Sequence, residues 1–431
     1  MIKRYSLPVM TKVWELNNRY QCWLDVELAV CKALFELSVI PEDDYKQIEA
    51  KADFDEDRIA EIEAVTKHDI IAFLNNLQEN IGPASRWVHF GLTSSDVLDT
   101  ASALQLKQAG EIILRDLINL LEILKIKAKE YKYTLCIGRT HGIHAEPTSF
   151  GLKFALWFDE IQRNLHRMEK AIEDISVGKI SGAVGNYAHL APEVESKACA
   201  FLELQPANIT TQVIPRDTHA LYMSVLAIIG TTIEKIALEI RHLQRTEVGE
   251  VEENFTRGQQ GSSAMPHKKN PIVSEQLCGL ARILRSNLMA ALENNALWHE
   301  RDISHSSVER IIFPDSTILT DYMLTKTADL IENLIVYPER MQQNLEITAG
   351  QYFSQALLLK LIEKGINREK GYKIIQEIAF KSSKTGNPFQ NTALEEGNLE
   401  NLFNDEELKE IFSFKRYTEH IDYIYRKLGI S

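Results

Sequence analysis

The stretch LYMSVLAIIGTTIEKIALEIRHLQRTE, residues 221–247, decides the fold class. Its first half is almost continuously apolar, its second half carries charges, and no proline occurs from Arg216 to Ala264. An uninterrupted segment of this length and pattern is typical of a long helix. Another helix is predicted upstream by an apolar stripe at spacings of three and four, formed by Ile113, Leu117, Leu120, Leu121 and Leu124.

Helical patterns also dominate the rest of the chain, and strict alternation of apolar and polar residues is scarce. A further long helix is expected from about Val273 to Glu300, after Pro271. The sequence therefore predicts an all-α fold with at most minor hairpins. Because 431 residues are too many for one ordinary core, we expect two or three domains, and the helical patterns divide the chain into three. They are an N-terminal domain at 1–92, a central bundle of long helices at 93–340 and a small C-terminal domain at 341–431.

Charge and cysteine usage narrow the class of protein. The net charge of −13 disfavours a nucleic-acid partner, since such binding needs a basic face. The five cysteines are scattered and form no CxxC pair, which favours a reducing compartment. The start of the chain has no apolar run of signal-peptide length, and no run of about 18 apolar residues follows. We therefore expect a cytoplasmic protein with no membrane partner.

Glycine and proline cluster in three polar segments between helical patterns. They are HFGLTSSD at 89–96, GRTHGIHAEPTSFG at 138–151 and GQQGSSAMPHKKNP at 258–271. Polar loops on a rigid frame commonly carry function. In the third segment, backbone N–H groups, the Lys268 ammonium and the Asn270 amide could together stabilise an anion. An isolated GSS stretch, however, is more often a solvated turn.

The second segment contains two histidines, His141 and His144, with Glu146 nearby. Histidines three residues apart beside a carboxylate leave a metal site open as an alternative. Gly142 and Pro147 disfavour a helix that could present such ligands, so we expect no metal. A lone loop histidine is also often no more than a hydrogen-bonding residue.

The string GSSAMPHKKNP resembles the signature of the fumarase/aspartase superfamily, and HFGLTSSDVLDTA and CIGRTHGIHAEPTSFG resemble its other characteristic regions. Within that superfamily, RTHGIHAEPTSFG, Arg4–Tyr5, the KHD triplet at 67–69 and LWHERDISHSSVER at 297–310 are similar to the adenylosuccinate lyase family. The resemblance implies an all-α homotetramer whose active sites are shared between subunits. It implies β-elimination of fumarate from adenylosuccinate, giving AMP, and from succinylaminoimidazole carboxamide ribotide, giving AICAR, in purine biosynthesis. No cofactor is expected.

The chemistry explains the residue types that the resemblance assigns. Removing the proton beside a substrate carboxylate creates an aci-carboxylate dianion, which preorganised donors must stabilise. By resemblance, Lys268 and Asn270 supply part of that stabilisation, His141 is the general acid, and Ser262 is the base. Histidine suits the acid role because its ordinary pKa is about 6.5. His68 is expected to support the acid or to lie on the phosphate side.

The resemblance also implies a set of substrate-binding residues that would meet one phosphate and two carboxylates. The cations and the hydrogen-bonding residues of that set are Arg4, Tyr5, Lys67, Asp69, Thr93, Ser94, Gln212, Ser263, Asn270, Arg301, Ser306 and Arg310. Taken alone, each arginine would more often lie on a solvated helix face. Gly258 and Gly261 flank the serines, and we hypothesise that this loop is a mobile lid.

Three alternatives remain open at this point. The chain could be another enzyme of the superfamily, such as an argininosuccinate lyase or a cycloisomerase, which would not depend on a phosphate. It could be a non-catalytic protein of the same fold, as some lens crystallins are, although intact His141, Ser262, Lys268 and Asn270 argue against that. A simple helical scaffold would leave the three glycine-rich segments unexplained.

Overall fold

The computed structural model describes residues 1–255, 264–265, 267–396 and 399–430. Its α-helices are α1 (Pro8–Val13), α2 (Leu16–Glu36), α3 (Glu42–Lys51), α4 (Glu56–Thr66), α5 (Asp69–Ile81), α6 (Ser94–Glu130), α7 (Gly151–Ile175), α8 (Pro192–Phe201), α9 (Asp217–Leu243), α10 (Ile272–Glu293), α11 (Ser304–Glu332), α12 (Pro338–Glu346), α13 (Ser354–Glu363), α14 (Arg368–Thr385), α15 (Phe389–Glu396), α16 (Asp405–Ile411) and α17 (Ile421–Leu428). Short 3₁₀ turns, among them Lys3–Tyr5 and Pro83–Trp87, connect some of them. The predicted all-α fold is confirmed.

The long helices form where periodicity places them. Helix α9 begins two residues after Pro215, with Asp217 in its first turn and Arg241 and His242 in its last. Those charges complement the helix dipole at both ends. The apolar stripe of 113–124 lies in α6 and is buried throughout. Helix α10 begins as expected but ends at Glu293, so its predicted end at Glu300 is wrong; two asparagines follow Glu293, and asparagine is a weak helix former.

Strands are few and short. Strand β1 (Leu135–Thr140) pairs antiparallel with β2 (Ile143–Ser149), β3 (Val177–Gly178) pairs parallel with β4 (Gln205–Pro206), and β5 (Val251–Glu252) pairs antiparallel with β6 (Ile335–Val336). Each sheet in the described residues has two strands. The glycine-rich segment of 138–151 is therefore mostly a hairpin rather than a loop.

The chain folds into two compact units. Unit 1 comprises Met1–Leu120, Ile161–Glu234 and Gln276–Thr327, and unit 2 comprises Leu121–Glu160, Lys235–Glu275 and Ala328–Ser431. Unit 1 has a core built on α2, α5 and α8, in which Tyr20, Trp23 and Phe73 pack ring against ring. A core in unit 2 gathers Phe353 and Phe389 with aliphatic side chains. The division into three domains at residues 92 and 340 stays a prediction.

Helix α9 is long and apolar enough to cross a membrane by length and composition, but 56% of its most apolar 18-residue window is buried inside the fold. Core helices of ordinary globular proteins pass the same test, so this one feature is weak evidence for a membrane. All five cysteines lie in the described residues, and each is buried and free.

Candidate active site

A carboxylate held by two guanidinium groups marks the candidate site in unit 1. Asp69, the first residue of α5, accepts hydrogen bonds from Arg310 on α11 at 2.8 Å and from Arg19 on α2 at 3.3 Å. Burial alone would raise the pKa of Asp69, but the backbone N–H of Ile70 and the two arginines outweigh it and hold that pKa below its ordinary value. Asp69 is thus ionised and ties three helices to one point.

The KHD turn is shaped by backbone geometry on both sides of His68. Lys67 ends α4 in the left-handed conformation, with a φ of 55°, and its N–H donates to the carbonyl of Glu63. His68 then caps α5, where its Nδ1 accepts a long hydrogen bond of 3.5 Å from the Ile71 N–H. The same Nδ1 lies 3.8 Å from a carboxylate oxygen of Asp69, so the turn holds this half-exposed imidazole beside that carboxylate.

A cavity of about 210 Å³ lies beside this carboxylate, and α11 supplies much of its wall. Ser306 and Arg310 of α11 line it together with Arg301 and Arg19. Arg301 donates to the side-chain oxygen of Gln212 at 3.0 Å. Within the described part of the chain, the Nε of Arg301 is buried and has no hydrogen-bond partner. The structure therefore brings five of the predicted binding residues to one place: Asp69, Gln212, Arg301, Ser306 and Arg310.

The deep wall of the cavity is a buried ion network centred on Arg216. Its guanidinium donates to both oxygens of Asp99 on α6, at 2.7 and 2.9 Å, and to both oxygens of Glu309 on α11, at 2.8 and 3.2 Å. His305 and His219 are buried nearby. Burial, and then the charge of Arg216, lower the pKa of His305 to about 4 and that of His219 to about 3. Both imidazoles are therefore neutral at physiological pH.

The first turn of α6 forms another side of the cavity. Thr93 precedes the helix, and its N–H donates to the side chain of Asp96 at 2.7 Å. Asp96 is itself fixed by the ammonium of Lys179 at 2.6 Å, in an ion pair with no solvent exposure on either side. Ser94 is the first residue of α6, and Ser95 lines the cavity. Thr93 and Ser94 thus lie where the helix dipole favours an anion.

The N-terminal residues Arg4 and Tyr5 lie against α11. They belong to a short 3₁₀ turn, and Tyr5 packs edge-on against Tyr322 with ring centroids 5.4 Å apart. The N-terminal amine of Met1 pairs with Asp315 of the same helix at 2.7 Å. This anchoring leaves the side chain of Arg4 exposed.

The remaining predicted residues belong to unit 2. His141 is exposed at the tip of the β1–β2 hairpin, with a φ of 55°, and Gly142 follows with a φ of 78°. Lys268 is exposed and Asn270 is partly buried, in the segment before α10. Ser262 and Ser263, like the lid glycines Gly258 and Gly261, lie outside the described residues.

His144, the other histidine of the hairpin, has a lowered pKa because of its burial and the nearby Arg139. In the described ranges, no group of three or more His, Cys, Asp or Glu side chains is placed to hold a metal ion.

Sequence reasoning missed several residues of the unit 1 cavity. Asp99, His305 and Glu309 lie within segments that resemble the family, at 89–101 and 297–310, but Arg19 and Arg216 do not. The spacing of four from His305 to Glu309 was a usable signal, because it repeats that of Ser306 and Arg310 on the adjoining face of one helix.

Comparison with known proteins identifies the family of this chain. Residues 3–284 match the family described as lyase, and residues 350–428 match the family described as adenylosuccinate lyase C-terminus. The chain is 49% identical to the adenylosuccinate lyase of Bacillus subtilis over 100% of both chains. The chain belongs to the adenylosuccinate lyase family. It is also 51% identical to adenylosuccinate lyase of Thermotoga maritima, over 99% of both chains.

Solved structures agree on the fold of this adenylosuccinate lyase family member. A fumarate lyase from Mesorhizobium sp. aligns with a TM-score of 0.90 at 24% identity, covering 100% of this chain and 99% of that one, and shows the fold alone. A 3-carboxy-cis,cis-muconate lactonizing enzyme from Pseudomonas putida aligns with a TM-score of 0.89 at 26% identity, covering 99% and 97%. The predicted family and fold are both confirmed.

Proposed function

We propose that this chain eliminates fumarate from adenylosuccinate, giving AMP, and from succinylaminoimidazole carboxamide ribotide, giving AICAR, in purine biosynthesis. Membership of the family makes it a fumarate-releasing carbon–nitrogen lyase. The observation that supports this substrate is the unit 1 cavity, where the guanidinium groups of Arg19, Arg301 and Arg310 lie close together on an otherwise acidic protein. A phosphorylated substrate with two carboxylates needs such a local concentration of cations.

The arginines of the unit 1 cavity differ in how fully their guanidinium groups are occupied by carboxylates. The Arg216 guanidinium is fully engaged by Asp99 and Glu309, so its role is to hold the wall. Arg310 contacts Asp69 through Nη2 and has a side chain that is 54% exposed, which leaves it able to meet a phosphate. In this proposal Arg4, Tyr5, Lys67, Ser306 and Arg310 bind the phosphate and ribose side of the substrate.

The succinyl group is assigned to the other side of the site. Thr93 and Ser94 offer hydroxyls at the start of α6, where the helix dipole adds to the attraction for a carboxylate. Gln212 and Arg301 are already hydrogen bonded to each other at 3.0 Å, and the buried Nε of Arg301 remains a donor. Together they form a polar patch that suits the second carboxylate.

The elimination itself would use the histidine of the hairpin and the residues of the signature segment, together with His68. Ser262 takes the Cβ proton, Lys268 and Asn270 stabilise the resulting dianion, and His141 protonates the leaving amine. Ser263 binds substrate beside Ser262, and His68 supports the acid or lies on the phosphate side. His141 suits this role because it is exposed at a hairpin tip, where its imidazole is open to a ligand. A positioned general acid contributes about 10²–10⁴ in rate.

We further propose that the enzyme is a cytoplasmic homotetramer whose active sites combine residues of several subunits. Two features support an assembly. Exposed apolar side chains recur along the long helices, among them Ile118, Leu156, Ile228, Ile283 and Met289. Burying such faces between copies is a common route to helical oligomers.

The test follows adenylosuccinate consumption by absorbance and fumarate release by a coupled assay, for the wild type and for His141→Ala and Ser262→Ala. Both variants should lose at least about 10²-fold in kcat. His166→Ala, on the exposed face of α7, is the matched control and should retain wild-type turnover. Near-wild-type turnover in both site variants would refute the assigned roles, and a wild type that releases no fumarate would refute the proposed substrate.

A further inference from the structure

His141 occupies a backbone conformation that its own side chain does not favour. Thr140 pairs with Ile143, so His141 and Gly142 form a two-residue hairpin loop. Both have positive φ, at 55° and 78°, which is the pattern of a type I′ turn and normally selects Asn-Gly. A non-glycine residue persists there when the surrounding structure holds the turn in place.

The support for this turn is an ion pair two residues upstream. Arg139 of β1 donates from Nη2 to one oxygen of Glu250 at 2.7 Å and from Nη1 to the other at 3.1 Å. The side chain of Glu250 has no solvent exposure, and that of Arg139 is 18% exposed. A two-point contact between planar groups fixes orientation as well as distance.

Glu250 is itself anchored from two further directions. The side-chain amide of Asn344, a buried residue of α12, donates to the same carboxylate at 2.7 Å and to the carbonyl of Val248 at 2.9 Å. The backbone carbonyl of Glu250 accepts from the N–H of Tyr337 at 3.0 Å. Glu250 therefore links the hairpin to α12 and to the residue that precedes it, both in unit 2.

The hairpin also carries an irregularity at this point. The register of β1 and β2 shifts between Ile137 and Arg139. Such bulges re-aim the side chains that follow them and are common beside active sites. The shift turns the strand just where the Arg139–Glu250 contact holds it, so the direction in which His141 projects depends on that contact.

We infer that Glu250 is a positioning residue for the elimination: through Arg139 it fixes the hairpin that presents His141. This inference rests on the proposed function. Glu250 does not touch substrate in this role, so its loss should alter the chemical step more than substrate binding. A misplacement of about 1 Å can cost about 10²-fold in rate.

The experiment measures kcat and KM for adenylosuccinate in Glu250→Gln. We expect kcat to fall by about 10²-fold while KM changes by less than about twofold. Arg139→Lys, which loses the two-point contact, should show the same split, and Glu250→Asp should recover part of the rate. Glu369→Gln is the matched control: it breaks the exposed Lys373–Glu369 ion pair on α14, also in unit 2, and should keep wild-type kcat.

A double variant separates positioning from a general loss of structure. In the His141→Ala background, Glu250→Gln should add less than about twofold, because the group it positions is gone. Wild-type kcat in both Glu250→Gln and Arg139→Lys, or a full further loss in the His141→Ala background, would overturn the inference. If His141→Ala itself keeps wild-type turnover, the proposed function of His141 fails instead, and the two failures are therefore distinguishable.

Discussion

Replacing Lys179 with methionine should strongly destabilise unit 1, because it leaves a buried carboxylate without its counter-ion. The ammonium of Lys179 lies 2.6 Å from Asp96, and neither side chain has any solvent exposure. The same ammonium donates to the carbonyl of Gly182 at 2.9 Å. Methionine fills a similar volume and supplies no donor, so the change removes the charge and the hydrogen bonds with little change in packing.

The expected loss in the free energy of unfolding depends on the hydrogen bonds that Asp96 keeps in the variant. Removing one partner of a buried ion pair typically costs about 3–5 kcal/mol. Asp96 still accepts from three backbone N–H groups, those of Thr93 at 2.7 Å and of Ser181 and Gly182 at 3.1 Å each. These donors partly solvate the orphaned charge, so we expect the lower end of that range, about 3 kcal/mol. Since Thr93 is held by this carboxylate, KM for adenylosuccinate should rise as well.

Urea unfolding at pH 7 tests the magnitude, with Lys170→Met as the matched control. Lys170 is 60% exposed on α7 and, within the described residues, pairs with Glu173 and Asp174 of its own helix, so its loss should cost less than about 0.5 kcal/mol. The double variant Lys179→Met/Asp96→Asn should be more stable than Lys179→Met, because it removes the uncompensated charge. A Lys179→Met protein with the wild-type midpoint, or a double variant no better than the single, would refute this reasoning.

Three further changes test other parts of the structure. Burial, and then the charge of Asp321, raise the pKa of Asp116 to about 8. A carboxyl group whose pKa is raised by folding makes the folded protein less stable as the pH rises, so Asp116→Asn should gain about 1–2 kcal/mol in thermal unfolding at pH 8 and almost nothing near pH 4. Equal gains at the two pH values would contradict this. Arg310→Ala, which leaves Asp69 paired with Arg19, should raise KM for adenylosuccinate about 10–100-fold in progress-curve kinetics, and an unchanged KM would exclude Arg310 from the phosphate site. Dialysis against a chelator should leave fumarate release unchanged, whereas a loss restored by a divalent metal would show a metal requirement.

The helices could be predicted from sequence because their signal is local. In α6 and α9, apolar periodicity and the absence of proline act over neighbouring residues, and both helices appear where expected. The β1–β2 hairpin was missed as an element since its glycines and Pro147 read as loop signals. Its strands become visible only through their pairing, which is a contact between segments.

The candidate site shows the same limit. The segments that resemble the adenylosuccinate lyase family, at 67–69 and 297–310, predicted Asp69, Arg301 and Arg310 as binding residues. Arg19 and Arg216 were missed because their function depends on partners far along the chain, 50 residues away for Asp69 and 117 for Asp99. No local pattern encodes such pairs, so only the folded structure reveals them.

Four buried or nearly buried ion pairs, two of them made by Arg216, share one property: each is attached to a segment that the proposed function needs. Lys179–Asp96 fixes the start of α6, Arg216 with Asp99 and Glu309 fixes the wall of the cavity, and Arg139–Glu250 fixes the hairpin. Well-packed apolar residues would often be as stable or more stable in such positions, since desolvating charges is costly. Apolar packing, however, is not directional, whereas a hydrogen-bonded ionic contact orients its partners, most strongly in the two-point contacts that Arg216 and Arg139 make. Buried ion pairs therefore occur, at some loss of stability, where the proposed chemistry requires a turn or helix end to be held in one orientation.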